Sequence, residues 1–452
     1  MQDGLSPDIN QFVRSKGMEE MPTASAGTSV SQGTATSRRL PENWRALLRG
    51  YASAISGSLG RLVFSLAYFV LLANTLSIAE FGVFATASAA GVVLSRIVAF
   101  GFSSPLYRAA TMRPRLVGLY TGGYLVMAAA SLPVLALAAW IVHAAFFARD
   151  VGIHVFALFV IAEALLWRTT EIIVIVNNGM NRFGRAAVLV ILGTVFRTMA
   201  AGAFWLAGAH DLATWAYWYL AANALALLTG VVFFQPRQRL RFKTQILRRR
   251  MADSLTVSGA EILFYIQTEL DKLLVLALGG AQMAGIYAII MRLVDLTAIP
   301  VRTFNMMLVQ SLMRNDHAMA SKKKRVLFEA GIFFVSTAGL LTLAFMLYLE
   351  PRLLGDNVAE ATPLVLIALL VPGLRNLTEY HAELLYARGQ TFLRAVNLAL
   401  LGGVKAVLLS KVLLASQPAG LVIRDLNWIF LALYAVSAIL TYTALRRPSK
   451  AF

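Results

Sequence analysis

Twelve long apolar segments, separated by short polar loops, are the feature that most constrains the fold of this chain. A helix needs about 20 apolar residues to cross a hydrocarbon core of about 30 Å, and each segment has about that length. Hydrophobic residues make up 58% of the chain and charged residues 14%, whereas soluble proteins have about 45–50% and about 25%. We therefore predict an all-α polytopic membrane protein. The predicted transmembrane helices are residues 54–76, 81–102, 117–142, 152–176, 185–207, 211–234, 255–278, 284–311, 326–349, 361–384, 391–415 and 424–445.

The positive charge of the chain falls in every second loop and at both termini. The alternate loops hold only Arg149, Arg352 and Arg424, each close to an acid. Since Lys and Arg collect in the cytoplasmic loops of membrane proteins, both termini are predicted to be cytoplasmic. The net charge of +18 is spread over these loops and not gathered in one basic domain, so no nucleic-acid partner is expected.

Two pairs of similar sequences indicate that the chain has two related halves. LSIAEFGVFA from Leu76 is similar to GGAQMAGIYA from Gly279, so that Gly82 matches Gly285 at an offset of 203 residues. RAAVLVILGTV from Arg185 is similar to RAVNLALLGGV from Arg394 at an offset of 209 residues. The similar offsets favour a duplicated six-helix unit, with chance similarity between apolar strings as the alternative.

This division predicts four regions. Residues 1–40 are rich in Ser, Thr, Gly and Gln and read as a disordered cytoplasmic tail. An N-terminal lobe follows at 41–234, with a short interfacial helix before its six spans. Residues 235–253 form a basic cytoplasmic linker, and residues 254–452 form the C-terminal lobe.

The seventh and eighth segments carry charges where a bilayer-spanning helix should have none. Each ionised group at the centre of a span costs about 2.5–3.5 kcal/mol, so these residues must face protein or water. Two interpretations stay open: an internal ladder of ion pairs, or a water-filled cavity for an anionic or polar ligand. The charged residues are Glu261, Glu269, Asp271 and Lys272 in the seventh segment, and Arg292, Asp295 and Arg302 in the eighth.

Other intramembrane charges are more ambiguous. Arg61 and Arg96 lie two or three turns from the cytoplasmic ends of their segments, so each can snorkel to the interface or line a cavity. Arg197 and Lys405 occupy nearly equivalent places in the repeat and have no acid nearby in their own segment. Each needs a carboxylate on a neighbouring helix or an anionic ligand.

In the fourth and tenth segments the acids share a helical face with an arginine. Ion pairing with a structural role is therefore favoured there. The residues concerned are Glu163, Trp167, Arg168 and Glu171 in the fourth segment and Arg375, Glu379 and Glu383 in the tenth.

The sequence contains no recognisable enzyme or cofactor motif. There is no cysteine, the five histidines are scattered, and neither GxxxxGK[ST] nor a strand-turn GxGxxG occurs. We expect no catalytic residue, no metal and no cofactor. Any energy coupling must come from gradients or from a separate partner.

Four features together point to a known family. They are the twelve segments, the similar halves, the EFGxFA and AGxYA sequences that open the second and eighth segments, and the charges of the seventh and eighth segments. The chain resembles the bacterial polysaccharide or O-antigen flippases of the multidrug, oligosaccharidyl-lipid and polysaccharide exporter superfamily, over about residues 45–445. That resemblance implies two six-helix lobes that form a V around a central cavity with alternating access. It also implies a multi-pass protein of the bacterial inner (plasma) membrane.

The implied substrate is an oligosaccharide on a polyprenyl diphosphate, flipped to the periplasmic leaflet for surface polysaccharide biosynthesis. Such a substrate needs cations for its phosphates, and the candidates are Arg61, Arg96, Arg292 and Arg302. Candidates for balancing those cations, or for carrying a coupling proton, are Glu261, Asp271 and Asp295. The expected partners are the lipid-linked oligosaccharide, membrane lipids and other polysaccharide-assembly proteins.

Two other functions remain as alternatives. A multidrug or cation antiporter of the same superfamily would favour acids over arginines in its cavity. A membrane glycosyltransferase or polymerase usually needs a large periplasmic loop or an acidic pair at a helix end, whereas the longest outer loop here, near residues 350–360, is short.

Overall fold

The computed structural model describes residues 61–208, 210–314, 322–415 and 418–446, without the side chains of residues 299, 300, 302, 303, 306–314, 322 and 324. The predicted tail and interfacial helix lie outside these residues. All described residues fall within one compact unit, Arg49–Phe452.

Fourteen helices make up nearly all of the described part of the chain. They are α1 (Arg61–Thr75), α2 (Ile78–Leu94), α3 (Ser103–Met112), α4 (Val117–Phe146), α5 (Ile153–Val160), α6 (Arg168–Gly179), α7 (Phe183–Leu206), α8 (Leu212–Thr229), α9 (Thr244–Arg314), α10 (Lys322–Leu349), α11 (Asp356–Val365), α12 (Val371–Ala387), α13 (Thr391–Leu414) and α14 (Ala419–Ala444).

The predicted all-α polytopic membrane fold is confirmed. No strand occurs in the described ranges, and eight of their helices are long and apolar enough to cross a membrane, by length and composition. The described residues of each of the twelve predicted segments lie mostly on helix. The seventh and eighth share α9, which is divided where Gly280 adopts a φ of 82°. A positive φ is readily adopted by glycine, so this residue permits the sharp turn between the two spans.

The described chain departs from regular α-helix at several points. Between α2 and α3, Ala99, Phe100 and Gly101 all have positive φ, so the second span is broken at this point. A π-helix, Ile161–Trp167, joins α5 to α6. Residues 366–370 separate α11 from α12, and Pro372 then falls in the first turn of α12, where the missing N–H of proline removes no helical hydrogen bond.

Local sequence explains where two of the helices begin. Ser77 caps α2 through a capping box, in which its side chain and that of Glu80 each accept a backbone N–H from the other residue. Asp211 caps α8, since its carboxylate accepts the backbone N–H of Thr214 at 2.8 Å. That hydrogen bond lowers the pKa of Asp211.

The basic segment before α9 is shorter than predicted, because α9 begins at Thr244 and not near residue 254. Residues 239 and 241 run along the first turns of α4. A Cβ at Gly118 would lie 2.5 Å from the carbonyl oxygen of Arg239, and the backbone N–H of Arg241 donates to the carbonyl of Gly118. Glycine is therefore required on this face of α4 by the approach of the basic segment.

The two halves meet through residues that are equivalent in the sequence repeat. Gly82 of α2 packs against the backbone of Ala281, and Gly285 of α9 packs against the backbone of Ile78. Both pairs are related by the offset of 203 residues seen in the sequence, since Ile78 corresponds to Ala281 and Gly82 to Gly285. A reciprocal contact of this kind is what a two-fold relation between similar units produces.

Candidate functional site

A cavity of about 330 Å³ lies between the two halves, with walls from α1, α2, α7, α8, α9 and the π-helix. Its aromatic wall includes Tyr68, Phe84 and Trp167. The Tyr68 hydroxyl is buried and has no hydrogen-bond partner among the described residues. The charged side chains that line the cavity are Arg61, Glu163, Arg197, Lys272, Arg292 and Asp295.

Arg197 is the cation that the N-terminal half contributes from α7. Its guanidinium donates to Asn223 Oδ1 at 2.7 and 3.1 Å and lies 4.3 Å from the centroid of the Trp167 ring. Its Nη2 is 3.9 Å from the carboxylate of Glu163. Arg197 was predicted to need a carboxylate on a neighbouring helix or an anionic ligand, and Glu163 supplies that carboxylate.

Glu163 is buried, with 3% of its surface exposed. Its Oε1 accepts hydrogen bonds from the Ser88 hydroxyl at 2.7 Å and from the Tyr219 hydroxyl. Because the carboxylate also faces Arg197, its charge is balanced within its own half of the molecule.

Arg61 and Arg292 bring two further guanidinium groups to the cavity. Arg292 donates to the backbone carbonyl of Ser65 at 3.3 Å and to the Ser65 hydroxyl, so it links α9 to α1. Arg61 lines the same cavity as Arg197 and Arg292. Like charges so placed repel one another, and an anion in the cavity relieves that repulsion.

Asp295 on the opposite wall, and the charged residues next to it, have partners from the C-terminal half. Asp295 lies 3.2 Å from Arg375 Nη2, and Glu379 lies 3.7 Å from Arg375 Nε. Lys272 pairs with Glu269 three residues earlier. The side chain of Arg302, also predicted as a cavity cation, lies outside the described residues.

Arg96 was predicted to be a cavity cation, but it is not among the residues that line the central cavity. It is 5% exposed, with its Nη1 3.1 Å from Glu171 and 3.9 Å from Glu261 and its guanidinium 4.1 Å from the centroid of the Tyr265 ring. The break in the second span explains this placement: Gly101 gives room for Ser254 of α9, which brings the first half of α9 against Arg96.

Arg168 completes this second group of charges, with Nη1 2.8 Å from Glu171 and Nη2 3.0 Å from Glu261. The predicted Arg168–Glu171 pair is thereby confirmed, and Glu261 balances both arginines. The π-helix separates Glu163 from this group. Its turns contain more residues than α-helical turns, so Glu163 faces the central cavity while Glu171 faces Arg96.

A second cavity, of about 370 Å³, lies within the C-terminal half. Asp271 is 3% exposed, lies 3.4 Å from Lys405 Nζ and accepts the Tyr287 hydroxyl at 2.6 Å. The carboxylate, cation and tyrosine resemble the Glu163, Arg197 and Tyr219 group of the other half. Arg375, Glu379 and Glu383 also line this cavity.

The predicted cavity residues did not include Arg197, Tyr68 or Trp167, which line the central cavity. The repeat did mark Arg197, because it lies at nearly the same place as Lys405 and lacks an acid in its own segment. Within the described ranges, no group of three or more His, Asp or Glu side chains has the arrangement of a metal site.

No protein-family model matches the chain, and no curated protein has significant sequence similarity to it. A solved structure named "protein A" aligns with 91% of this chain and 97% of its own, with 15% identity and a TM-score of 0.52. This chain shares the fold of that protein. At such low identity the likeness concerns the fold alone.

Two further solved structures align over most of their length. One is described as a MATE in the bent conformation, with 12% identity, a TM-score of 0.48, and 86% of this chain and 95% of that chain covered. The other is described as a MOP superfamily transporter from Pyrococcus furiosus, with 12% identity, a TM-score of 0.49, and 88% and 93% covered. These two scores are too low to establish a common fold.

Proposed function

We propose that this protein is a transporter that moves a polyprenyl-diphosphate-linked oligosaccharide across the membrane by alternating access, as a member of the superfamily of multidrug and oligosaccharide exporters. The observation that carries the proposal is the charge of the central cavity. Four cations and two carboxylates line it. Glu163 faces Arg197, Asp295 faces Arg375, and Lys272 pairs with Glu269. The excess of positive charge suits an anionic substrate.

The chemistry of a lipid diphosphate fits this arrangement. Guanidinium groups bind phosphate oxygens through paired N–H donors, and Arg61, Arg197 and Arg292 share one cavity. Tyr68 and Trp167 add an aromatic wall, and the buried Tyr68 hydroxyl can hydrogen-bond to a bound polar group. Sugar hydroxyls and rings are suited to surfaces of this mixed character.

The experiment is a flipping assay in proteoliposomes. Purified protein is reconstituted with a short lipid-diphosphate oligosaccharide labelled on its sugar, and a lectin or oxidant reads the leaflet of the label. We expect Arg61→Gln and Arg292→Gln each to lower the rate by about ten- to a hundredfold, because a hydrogen bond to a charged group contributes about 1.5–3 kcal/mol. Lys411→Gln, which removes a cation from an exposed position on α13, is the matched control and should transport normally.

Unchanged flipping by the Arg61→Gln/Arg292→Gln double variant, at normal membrane level, would show that these cations do not bind the substrate. Elongated or transferred sugar in the extract would instead indicate a glycosyltransferase or polymerase.

A cation antiporter is the second candidate, and the C-terminal cavity favours it. Of the side chains that the structure describes, Asp271, Glu379 and Glu383 line that cavity with only Arg375 and Lys405 as cations. Proton-driven efflux of an organic cation from the same proteoliposomes, lost on Glu379→Gln and unaffected by Arg292→Gln, would replace the flippase proposal with this one.

A further inference from the structure

The basic loops lie at one end of the helical bundle, and a groove is found at that end. This groove has no role in the proposed transport cycle. Its volume is about 340 Å³, within the range of roughly 300–1,000 Å³ of small-molecule sites. One wall is a face of α3, formed by residues 105, 108, 109 and 112, and another is the start of α4, formed by Leu116 and Tyr120. Arg250 of α9 closes the groove.

Among the described residues, three arginines and no acid line this groove: Arg108, Arg113 and Arg250. Asp253 is the nearby carboxylate, at 3.9 Å from Arg108 and 3.5 Å from Arg250. Arg250 Nη1 donates a long hydrogen bond to this carboxylate, whereas the 3.9 Å contact of Arg108 is beyond hydrogen-bond distance. The side chains of Arg108 and Asp253 are 63% and 52% exposed. Among the described residues, Arg113 has no ion pair. The groove therefore retains a net positive charge and most of its N–H donors.

The rim and floor of the same groove are apolar. Pro105 and Ala109 are buried beneath it, and Tyr120 stacks on Phe102 with ring centroids 6.1 Å apart. Met112 lines the groove with 81% of its surface exposed, and Tyr107 on the same helix is 46% exposed. Exposed apolar and tyrosine side chains beside arginines are typical of the boundary between headgroups and acyl chains.

We propose that this groove binds the phosphate of an anionic phospholipid, with its acyl chains along Met112 and the neighbouring lipid-facing surface. Guanidinium donors on three sides match the phosphate oxygens. The adjacent apolar side chains match a ligand that carries a hydrocarbon tail, which a soluble phosphate lacks. Basic pockets between transmembrane helices on the side of the positive loops are known to bind such headgroups.

Native mass spectrometry of the detergent-purified full chain tests this proposal. Titration with phosphatidylglycerol should show one tightly bound lipid, whereas phosphatidylcholine should bind more weakly because its choline cancels the phosphate charge. Each arginine near a lipid surface contributes about 1 kcal/mol, so Arg113→Gln should weaken binding roughly fivefold and Arg108→Gln/Arg113→Gln/Arg250→Gln about a hundredfold.

The control variant Arg237→Gln/Arg248→Gln/Arg249→Gln removes the same charge from exposed positions outside the groove and should bind phosphatidylglycerol nearly as wild type does. Equal losses in the two triple variants would mean a diffuse surface charge and would overturn the proposal. If the triple variant of the groove does not fold, Arg113→Gln alone decides, since Arg113 is exposed and forms no ion pair in the described part of the chain.

Two competition arms distinguish the sources of the phosphate. Inorganic phosphate should displace the lipid only at much higher concentration, because it lacks the apolar contacts. Displacement at equal concentration would indicate a soluble-anion site. Binding of a polyprenyl phosphate without binding of phosphatidylglycerol would make the groove an entry site for substrate, and the phospholipid proposal would fail.

Discussion

Among the described residues of the C-terminal half, Asp271 and Lys405 form the most buried ion pair. Their side chains are 4% and 6% exposed, and Tyr287 donates to the same carboxylate. A buried ion pair is a weak source of stability, but removal of one partner leaves an uncompensated charge. We therefore expect a single substitution in this pair to lower the free energy of unfolding much more than a double substitution that removes both charges.

We expect Asp271→Asn to lower the free energy of unfolding by about 3–5 kcal/mol, because Lys405 then loses its carboxylate. Asp271→Asn/Lys405→Met should recover much of that loss. Thermal unfolding of the purified protein in detergent measures both, and Lys411→Met on the exposed side of α13 should be near neutral. A double variant less stable than Asp271→Asn would show that Lys405 has another essential partner.

At the scale of elements, the contact between α2 and α9 depends on two glycines that match in the repeat. A Cβ at Gly285 would lie 2.7 Å from the carbonyl carbon of Ile78, and one at Gly82 would lie 2.6 Å from the carbonyl oxygen of Ala281. Since both neighbouring atoms belong to the backbone, only a shift of the helices can relieve the overlap.

Gly285→Ala is expected to destabilise the protein by about 1–3 kcal/mol, as overpacking of a close helix contact does. Gly403→Ala is the matched control, because a Cβ at that helical position has no atom within 4 Å. The midpoint of thermal unfolding compares the two variants. Equal midpoints would mean that α2 and α9 separate at this point without cost.

For the molecule as a whole, contacts between the halves occur at both ends of the bundle. At the end opposite to the basic loops, the Asn357 side chain donates to the carbonyls of Ala73 and Leu76, and Asn74 donates to the carbonyl of Leu354. At the other end, Glu261 pairs with Arg168. Alternating access requires one set of contacts to open while the other holds.

The absence of cysteine from the sequence makes this requirement testable by cross-linking. Asn74→Cys/Asn357→Cys, joined by a short reducible bis-thiol reagent, should stop flipping in proteoliposomes because the two halves can no longer separate at that end. Reduction should restore the rate, and each single variant treated with the reagent should stay active. Full activity of the cross-linked protein would mean that this end does not open.

The positions of the helices were predictable from the sequence to a greater extent than the residues of the candidate site. The described residues of each predicted segment lie mostly on helix, because the length and hydropathy needed to cross a bilayer are local properties. The pairing of Arg168 with Glu171 was also predictable, since a spacing of three residues places both on one helical face. The same periodicity failed between Glu163 and Glu171, where a π-helix intervenes.

The sequence by itself determined that this is an all-α polytopic membrane protein with many charges within its spans. Only the tertiary structure decided which charges meet. Arg61, Arg197 and Arg292 share the central cavity, whereas Arg96 is held by Glu171 and Glu261. The physical reason is that spacing assigns a side chain to a face of its own helix, but the neighbour of that face depends on packing between distant segments, here on the positive φ angles at residues 99–101.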